Sequence, residues 1–534
     1  MKSTLTMVLA VASLCISCQK QSSPFLQSQK EILRLSISGE PDSLDPRKSN
    51  NINADLVIKM LFQGLTSVDS QGKMALALAE SVEISEDQMN YKIVLRDSFW
   101  SDGHPVIAQD FETSWKASLK TEAPVICANL LYPLKNAEAA KRGKVSVEEV
   151  GVYAQDTKTL MIQLEKPTSF FLDLMASTMY FPVPSHLVQN VGEWGSSASE
   201  QFVSNGPFKL ASWEHNHKLK LYKNLFFCDK ELGLIDEIDV AIIGNEMTAL
   251  QMFERGELDC IGGDFSPLPL DAIPLLSAQD AFVKTTYGGT RYCPFNMHAF
   301  PFNNANMRKA FSIAICRTAI VDNITHLHEE VATHMIAPCL KGNHHVDFFQ
   351  DGDVETARSY FAKGLEELGV TRQDLDGAIT LKYEDAEISS RIAQALQQQW
   401  YDAFGLRVNL EHSELKTFVT ALRQRNFQIG LIYWMLHYNS AMDILDRYRT
   451  ADLVKNYPGW ESSEYTSLID DFFLEPDEEK RNQILLKAEA VFMNDMPVAP
   501  LYHFCSPYML KPEVTGLETT PIGDFYFGNV SIKR

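Results

Sequence analysis

The sequence predicts an α/β protein folded as two or three lobes, and three observations predict it. The chain has 534 residues, and a single hydrophobic core rarely grows beyond roughly 250–300 residues. Residues 79–115 (AESVEISEDQMNYKIVLRDSFWSDGHPVIAQDFETSW) join a strand pattern to a tight turn and a helix start. Composition is that of a water-soluble globular protein, 45% hydrophobic and 22% charged,. Past the N-terminal leader, no apolar run reaches the roughly 18 residues that a membrane-spanning helix needs.

The elements follow in chain order. Lys2 opens a short positive region, and residues 5–16 are mostly apolar but too short to span a bilayer,. Ser17-Cys18 and a polar stretch come next. This resembles a bacterial lipoprotein signal cut before Cys18, with lipid on its sulfur. Cys15 departs from the Leu such signals favour, and an ordinary secretion signal is the alternative. A polar linker at about 19–30 precedes a strand by alternation at residues 31–37 (EILRLSI),. Two prolines then break structure in residues 40–46 (EPDSLDP),.

In residues 79–115, Tyr91, Ile93 and Leu95 alternate with Lys92, Val94 and Arg96, as in a half-buried strand,. Ser101-Asp102-Gly103 supplies turn chemistry, and Pro105 stiffens the exit. Asp110 is placed as the N-cap of a helix through Phe111 and Trp115. Trp100 and Trp115 read as structural. Net charge is −21, from 48 basic and 69 acidic side chains. No basic excess exists to displace counterions, which argues against nucleic acid as a partner. Beyond Cys15 and Cys18, seven cysteines remain: Cys127, Cys228, Cys260, Cys293, Cys316, Cys339 and Cys505. The count is odd and no C-x-x-C occurs, so at least one thiol is free in a monomer, and scattered small hydrophobes are expected.

The order of residues in 79–115 closely resembles the signature of the peptide-binding (family 5) solute-binding proteins of ABC importers. Their pattern runs AES, a strand, LR, W-S/T-D-G-x-P, then D-F and an aromatic helix. Residues 40–46, 165–171 (EKPTSFF), 204–210 (SNGPFKL), 253–259 (FERGELD), 302–315 (FNNANMRKAFSIAI) and 500–504 (PLYHF) also match. The nearest branch resembles the oligopeptide-binding proteins. The resemblance implies a two-lobed periplasmic-binding-protein clamshell, class II-like, with an extra domain inserted in the first lobe. The expected division is 1–18 signal and anchor; 25–52, 185–290 and 505–534 lobe I; 53–184 the inserted domain; and 291–504 lobe II. Two chain crossings would make the hinge.

The resemblance also implies a site. A peptide enclosed between lobes brings two charged ends and a polar backbone that must be satisfied. Oligopeptide binders carry W-x-x-D-Y-N, whose Asp takes the peptide amino group. Here Trp434, Tyr438 and Asn439 match, but His437 stands in place of the Asp. A neutral imidazole cannot neutralise an ammonium, and a protonated one repels it. Asp443 and Asp446 are nearby substitutes. Leu431 stands where oligopeptide binders use Arg, and Leu422-Arg423 replaces their Arg-His pair. That pair resembles the murein-tripeptide binders, where the Arg serves the diaminopimelate end. Arg423 as a solvated helix residue is the alternative. Tyr292 and Asn296 resemble a cleft-lining strand, with core packing as the other reading. Glu40 is expected at the mouth of the cleft.

The expected protein is therefore a lipid-anchored extracytoplasmic or periplasmic receptor, monomeric and not an enzyme. It would capture short peptides, murein tripeptide among them, for a permease and an ATPase. No cofactor and no metal is expected. Other readings stay open. His326, His328, His334, His344 and His345 with Asp347 suit a metal or metal complex by ligand type, but fit no closed zinc motif. The same fold could bind another solute or act as a sensor. No G-x-S-x-G, H-E-x-x-H or phosphate loop is present to support an enzyme.

Overall fold

The computed structural model describes residues 30–48, 51–69, 72–188, 193–229, 235–263, 265–340, 346–475, 477–520 and 523–533. Cys18, His344 and His345 lie outside them. Three main sheets organise the chain. The first is four-stranded, in the order Ile32–Ile37, Glu237–Ile242, Lys218–Lys223, Phe208–Glu214. Leu33, Leu35 and Ile37 alternate onto its buried face, as the sequence predicts. Ile32–Ile37 runs parallel to Glu237–Ile242 and the remaining pairs are antiparallel.

A second four-stranded sheet lies wholly within residues 53–184, in the order Ala79–Ile84, Asn90–Leu95, Thr159–Gln163, Val152–Ala154. Tyr91, Ile93 and Leu95 are buried on alternate positions, and helix Ala108–Leu119 packs on this sheet. The helix begins earlier than expected. Ile107 occupies the cap, and Asp110 is the third helical residue, its carboxylate accepting from the Ile107 N–H at 3.0 Å. An acid serves the open N–H groups there as well as at the cap. Trp100 and Trp115 are fully buried and bond to Asp110 and to the Tyr180 carbonyl oxygen. This inserted unit shares one continuous hydrophobic core with the first sheet.

The third sheet has six strands: Cys260–Gly262, Val498–Leu510, Phe282–Pro294, Ile429–Met435, Ile379–Glu384, Val408–Ser413. Helices cover both faces. One face packs Phe311, Trp400 and Phe404, and the other packs Tyr448, Trp460 and Phe492. Phe282–Pro294 and Val498–Leu510 are thirteen residues each and pair antiparallel, with a register break between Thr286 and Thr290. At one end Tyr508 belongs to the core of the first lobe, and at the other Cys293 and Tyr502 belong to the second. These two strands join the lobes, and the boundaries expected at 290/291 and 504/505 fall inside them, close to the break. Gly289 permits a close approach there, since a Cβ would sit 2.5 Å from the Trp434 carbonyl oxygen. All seven cysteines among the described residues are free thiols.

Candidate functional site

Strand Ile429–Met435 is a β-branched and aromatic run that ends at the junction of the lobes, beside Gly289 and Thr290. The chain then turns through His437, Tyr438 and Asn439 into a short helix, Met442–Leu445. Asp443 lies in that helix and its carboxylate is nearly buried. Its Oδ2 accepts from Trp434 Nε1 at 3.1 Å and from the His437 backbone N–H at 2.9 Å, with His437 Nδ1 at 3.3 Å. Burial pushes the Asp443 carboxyl up, but His437 and Arg447 outweigh it and hold the group below the usual carboxylate range,. Asp443 is therefore an ionised carboxylate already committed to its own neighbours.

Cations exceed carboxylates around Trp434. The Arg447 guanidinium lies over the Trp434 ring, 3.0 Å from its centroid, and Lys455 Nζ lies 4.5 Å from the same centroid. Such contacts stabilise a cation by about 0.5–2 kcal/mol, less than full pairing with an anion would. Arg447 Nη2 donates to the Asp443 carbonyl oxygen at 3.2 Å, while its Nε and Nη1 are buried with no partner among the described residues. Lys455 Nζ makes no hydrogen bond or ion pair among the described residues. Burial, and then the like charge of Arg447, push the Lys455 pKa down. Arg423 ends helix Leu415–Arg423, is exposed, and adds positive charge beside Lys455 and Tyr457.

The inserted unit closes this cluster from the other side. Tyr438 stacks on Phe170, with centroids 5.0 Å apart and planes 11° apart, and Asn439 Nδ2 donates to the Gly72 carbonyl oxygen at 2.6 Å. The Asn439 Oδ1 is buried without a partner among the described residues. A cavity of about 270 Å3 opens nearby, lined by Lys284, Tyr287, Glu329, Cys339, His503 and Phe504 among others. Thr290 is register partner to both Trp434 and His503, and its hydroxyl lies 3.0 Å from His503 Nδ1. His503 thus lies two strand spacings from Trp434, roughly 10 Å.

The structure brings together Trp434, His437, Tyr438 and Asn439, with Arg423 at the margin. The other expected site residues have different surroundings. Leu422 is fully buried in the core, one helical turn from buried Phe418. Tyr292 is also fully buried; burial, and next the Tyr448 hydroxyl, push its pKa up. Asn296 is spent on the backbone, donating to the Arg425 and Phe427 carbonyl oxygens at 2.8 Å each. Glu40 accepts from Trp213 Nε1 at 3.0 Å and from the Asn216 N–H at 2.8 Å, with His215 Nδ1 at 2.6 Å, so its carboxylate ties a hairpin of the first lobe. Arg447, Lys455 and Phe170 were not expected at the site. No periodicity distinguishes Arg447 in Asp-Arg-Tyr-Arg from a surface arginine; only its place over Trp434 does. His326 and His328 face Asp322, and His334 packs against His503. Among the described residues these histidines form no three-ligand group.

Two lobes joined by a pair of crossing strands, with an aromatic and cationic cluster between them, define a solute-binding clamshell. Residues 73–455 match the bacterial extracellular solute-binding proteins, family 5 (middle part), and the chain belongs to that family. The oligopeptide-binding protein OppA of Bacillus subtilis is 34% identical over 507 residues, covering 94% of this chain and 93% of that protein. The crystal structure of the periplasmic oligopeptide-binding protein OppAIV of Borrelia burgdorferi superposes with TM-score 0.79 at 28% identity, covering 94% of this chain and 100% of that one. The murein tripeptide-binding protein MppA of Escherichia coli gives TM-score 0.79 at 25% identity, covering 95% and 99%. Members of this family work outside the cytoplasm, and these relatives are binding proteins rather than enzymes. Among the described residues no helix is long and apolar enough to cross a membrane.

Proposed function

We propose that the protein is the substrate-binding subunit of an ABC peptide importer and that it captures short peptides rich in carboxylate. The supporting observation is the pair of cations at Trp434: Arg447, with two buried nitrogens that lack hydrogen-bond partners among the described residues, and Lys455, with no ion pair among them; Asp443 is the carboxylate that faces both. A buried guanidinium and a half-buried ammonium with unfilled hydrogen-bond capacity are costly in an empty protein, and a carboxylate between them would reduce that cost,. Asp443 does not serve, because it is held by Trp434 and His437.

A peptide ammonium, by contrast, would meet Asp443, already held by Trp434 and His437, and Asp446, which faces Lys166 and Arg449. Murein tripeptide, L-Ala-γ-D-Glu-diaminopimelate, has three carboxylates and suits the cation excess better than tri-alanine, which has one. Arg423 at the margin is suited to the diaminopimelate end through a bidentate contact. The cavity beside His503 and Tyr287 would take a side chain. The peptide would bind with the lobes apart. Contacts such as Asn439 to Gly72 and Phe170 on Tyr438 would then hold the closed state, which the ligand favours by preferential binding. The bend would fall at the register break in the two crossing strands. Cys18 would tether the protein to the outer side of a bacterial membrane by lipid, beside its permease. Comparing a tripeptide free acid with its fully amidated form by calorimetry tests the charge argument. Equal affinities would refute it.

A further inference from the structure

On the inserted unit, away from the Trp434 cluster, three side chains from two separate segments converge on one point. His104 Nδ1 lies 3.1 Å from Asp102 Oδ2, and His186 Nε2 lies 2.9 Å from the same oxygen. The two imidazole rings are stacked, with centroids 4.3 Å apart and planes 27° apart. The three ligand atoms lie within 4.8 Å of one another, the one such group of His, Cys, Asp or Glu among the described residues. We propose that Asp102, His104 and His186 bind a divalent transition metal ion of the zinc class, with water completing its coordination.

The framework beneath the triad is rigid. Gly103 takes φ +90°, which lets the turn close with the Trp100 N–H donating to the His104 carbonyl oxygen at 2.8 Å,. The same turn uses Asp102 Oδ1, which accepts from the His104 N–H at 3.0 Å and leaves Oδ2 for the imidazoles. The second segment is fixed through Asp110, which is only 1% exposed. Its carboxylate accepts from Trp100 Nε1 at 2.9 Å, from the Ser185 N–H at 2.9 Å and from the Ser185 hydroxyl at 2.6 Å. One buried carboxylate thus holds residue 100 and residue 185 together; Asp102 and His104 lie two and four residues beyond the first, and His186 directly follows the second. Outer hydrogen bonds of this kind hold metal ligands in place.

The donor types fit, and so do the two distances to Asp102 Oδ2. Two imidazole nitrogens and one carboxylate oxygen are a common three-ligand set for zinc, which leaves one position for water. Tetrahedral zinc with bonds of about 2.05 Å sets neighbouring ligand atoms about 3.3 Å apart. The observed 2.9 and 3.1 Å need to open by only a few tenths of an ångström. A bound ion would pin the turn at 101–104 to the segment carrying His186.

The test uses the full-length chain, free of any histidine tag, titrated with Zn2+ against a chromophoric chelator. A His104→Ala/His186→Ala double variant is expected to lose one zinc equivalent, or to hold it at least about tenfold more weakly, a change of about 1.4 kcal/mol. Asp102→Asn, which keeps the turn acceptor, should weaken the same equivalent. A His215→Ala/His217→Ala control should retain it. Zinc should raise the melting temperature of the wild type and the control but not of the double variant. Equal stoichiometry and affinity in the wild type and the double variant would overturn the proposal, as would a wild type that binds no zinc at micromolar concentration.

Discussion

Replacing Lys455 by methionine separates a cation kept for a ligand from one kept for stability. In the free protein Lys455 has no ion pair among the described residues, and its pKa is lowered by burial and by Arg447. Methionine keeps most of the buried stem, removes the charge, and ends the repulsion with Arg447. It also loses the contact with Trp434, worth about 0.5–1 kcal/mol. These effects oppose each other, so the unfolding free energy should change by less than about 1 kcal/mol, within the range of mild substitutions. Binding has no such compensation. Losing one charged hydrogen bond to a ligand carboxylate costs about 1.5–3 kcal/mol, which is roughly a 10- to 150-fold loss of affinity. Thermal melting and calorimetry with an anionic tripeptide read the two quantities separately. A variant that melts normally and binds within roughly twofold of the wild type, under 0.5 kcal/mol, would refute a ligand role for Lys455. A variant that unfolds much earlier would refute the view that Lys455 is tolerated at a cost in the free protein.

Four further outcomes are expected. Glu489 is 1% exposed, and burial pushes its pKa up to about 7 although it accepts from the Met335 and Ile336 N–H groups. Between its ordinary range and about pH 7 the unfolded chain gives up this proton while the folded one keeps it. Stability therefore falls as pH rises through that window, by about 3 kcal/mol, and then levels off; Glu489→Gln should remove the fall, and urea denaturation at about pH 5 and pH 8 would contradict this if both proteins changed alike. Phe170→Ala removes the stack on Tyr438 and a second contact with Phe473, so solution scattering of the unliganded variant should shift toward a wider particle, and an unchanged profile would count against closure through these rings. Arg423→Ala should weaken a diaminopimelate-containing peptide by about 1.5–3 kcal/mol and tri-alanine much less, with calorimetry showing no difference if Arg423 is only a solvated residue. His437→Asp places a carboxylate where a peptide ammonium could reach it and should strengthen tri-alanine binding; no gain on titration would mean that residue 437 does not meet the amino group.

Local periodicity made part of this fold legible. Tyr91, Ile93 and Leu95 announce their strand, and Leu33, Leu35 and Ile37 announce theirs, because alternation reports one buried face directly. The insertion and the six-stranded sheet come from non-local pairing; the family resemblance implies the first and is silent on the second. At the site, the resemblance names Trp434, Tyr438 and Asn439 as motif matches, and the fold sets them at the junction of the lobes. It was a poorer guide to Leu422, whose spacing of four from Phe418 marks a core face in the sequence itself,. Glu40 could not be placed, because its partners Trp213, His215 and Asn216 lie more than 170 residues away. Arg447 and Lys455 are close to Trp434 in the chain, but no periodicity in the sequence marks their contact with it. Only the folded chain sets both cations over one indole ring.

Capture of carboxylate-rich peptides is tested most directly by competition between two ligands on one preparation. The protein is unfolded and refolded to remove any carried ligand, then titrated calorimetrically with L-Ala-γ-D-Glu-diaminopimelate and with tri-alanine. The cation excess at Trp434 predicts that the murein tripeptide binds at least about tenfold more tightly, a difference of about 1.4 kcal/mol. Equal binding of the two, or a preference for tri-alanine, would contradict it.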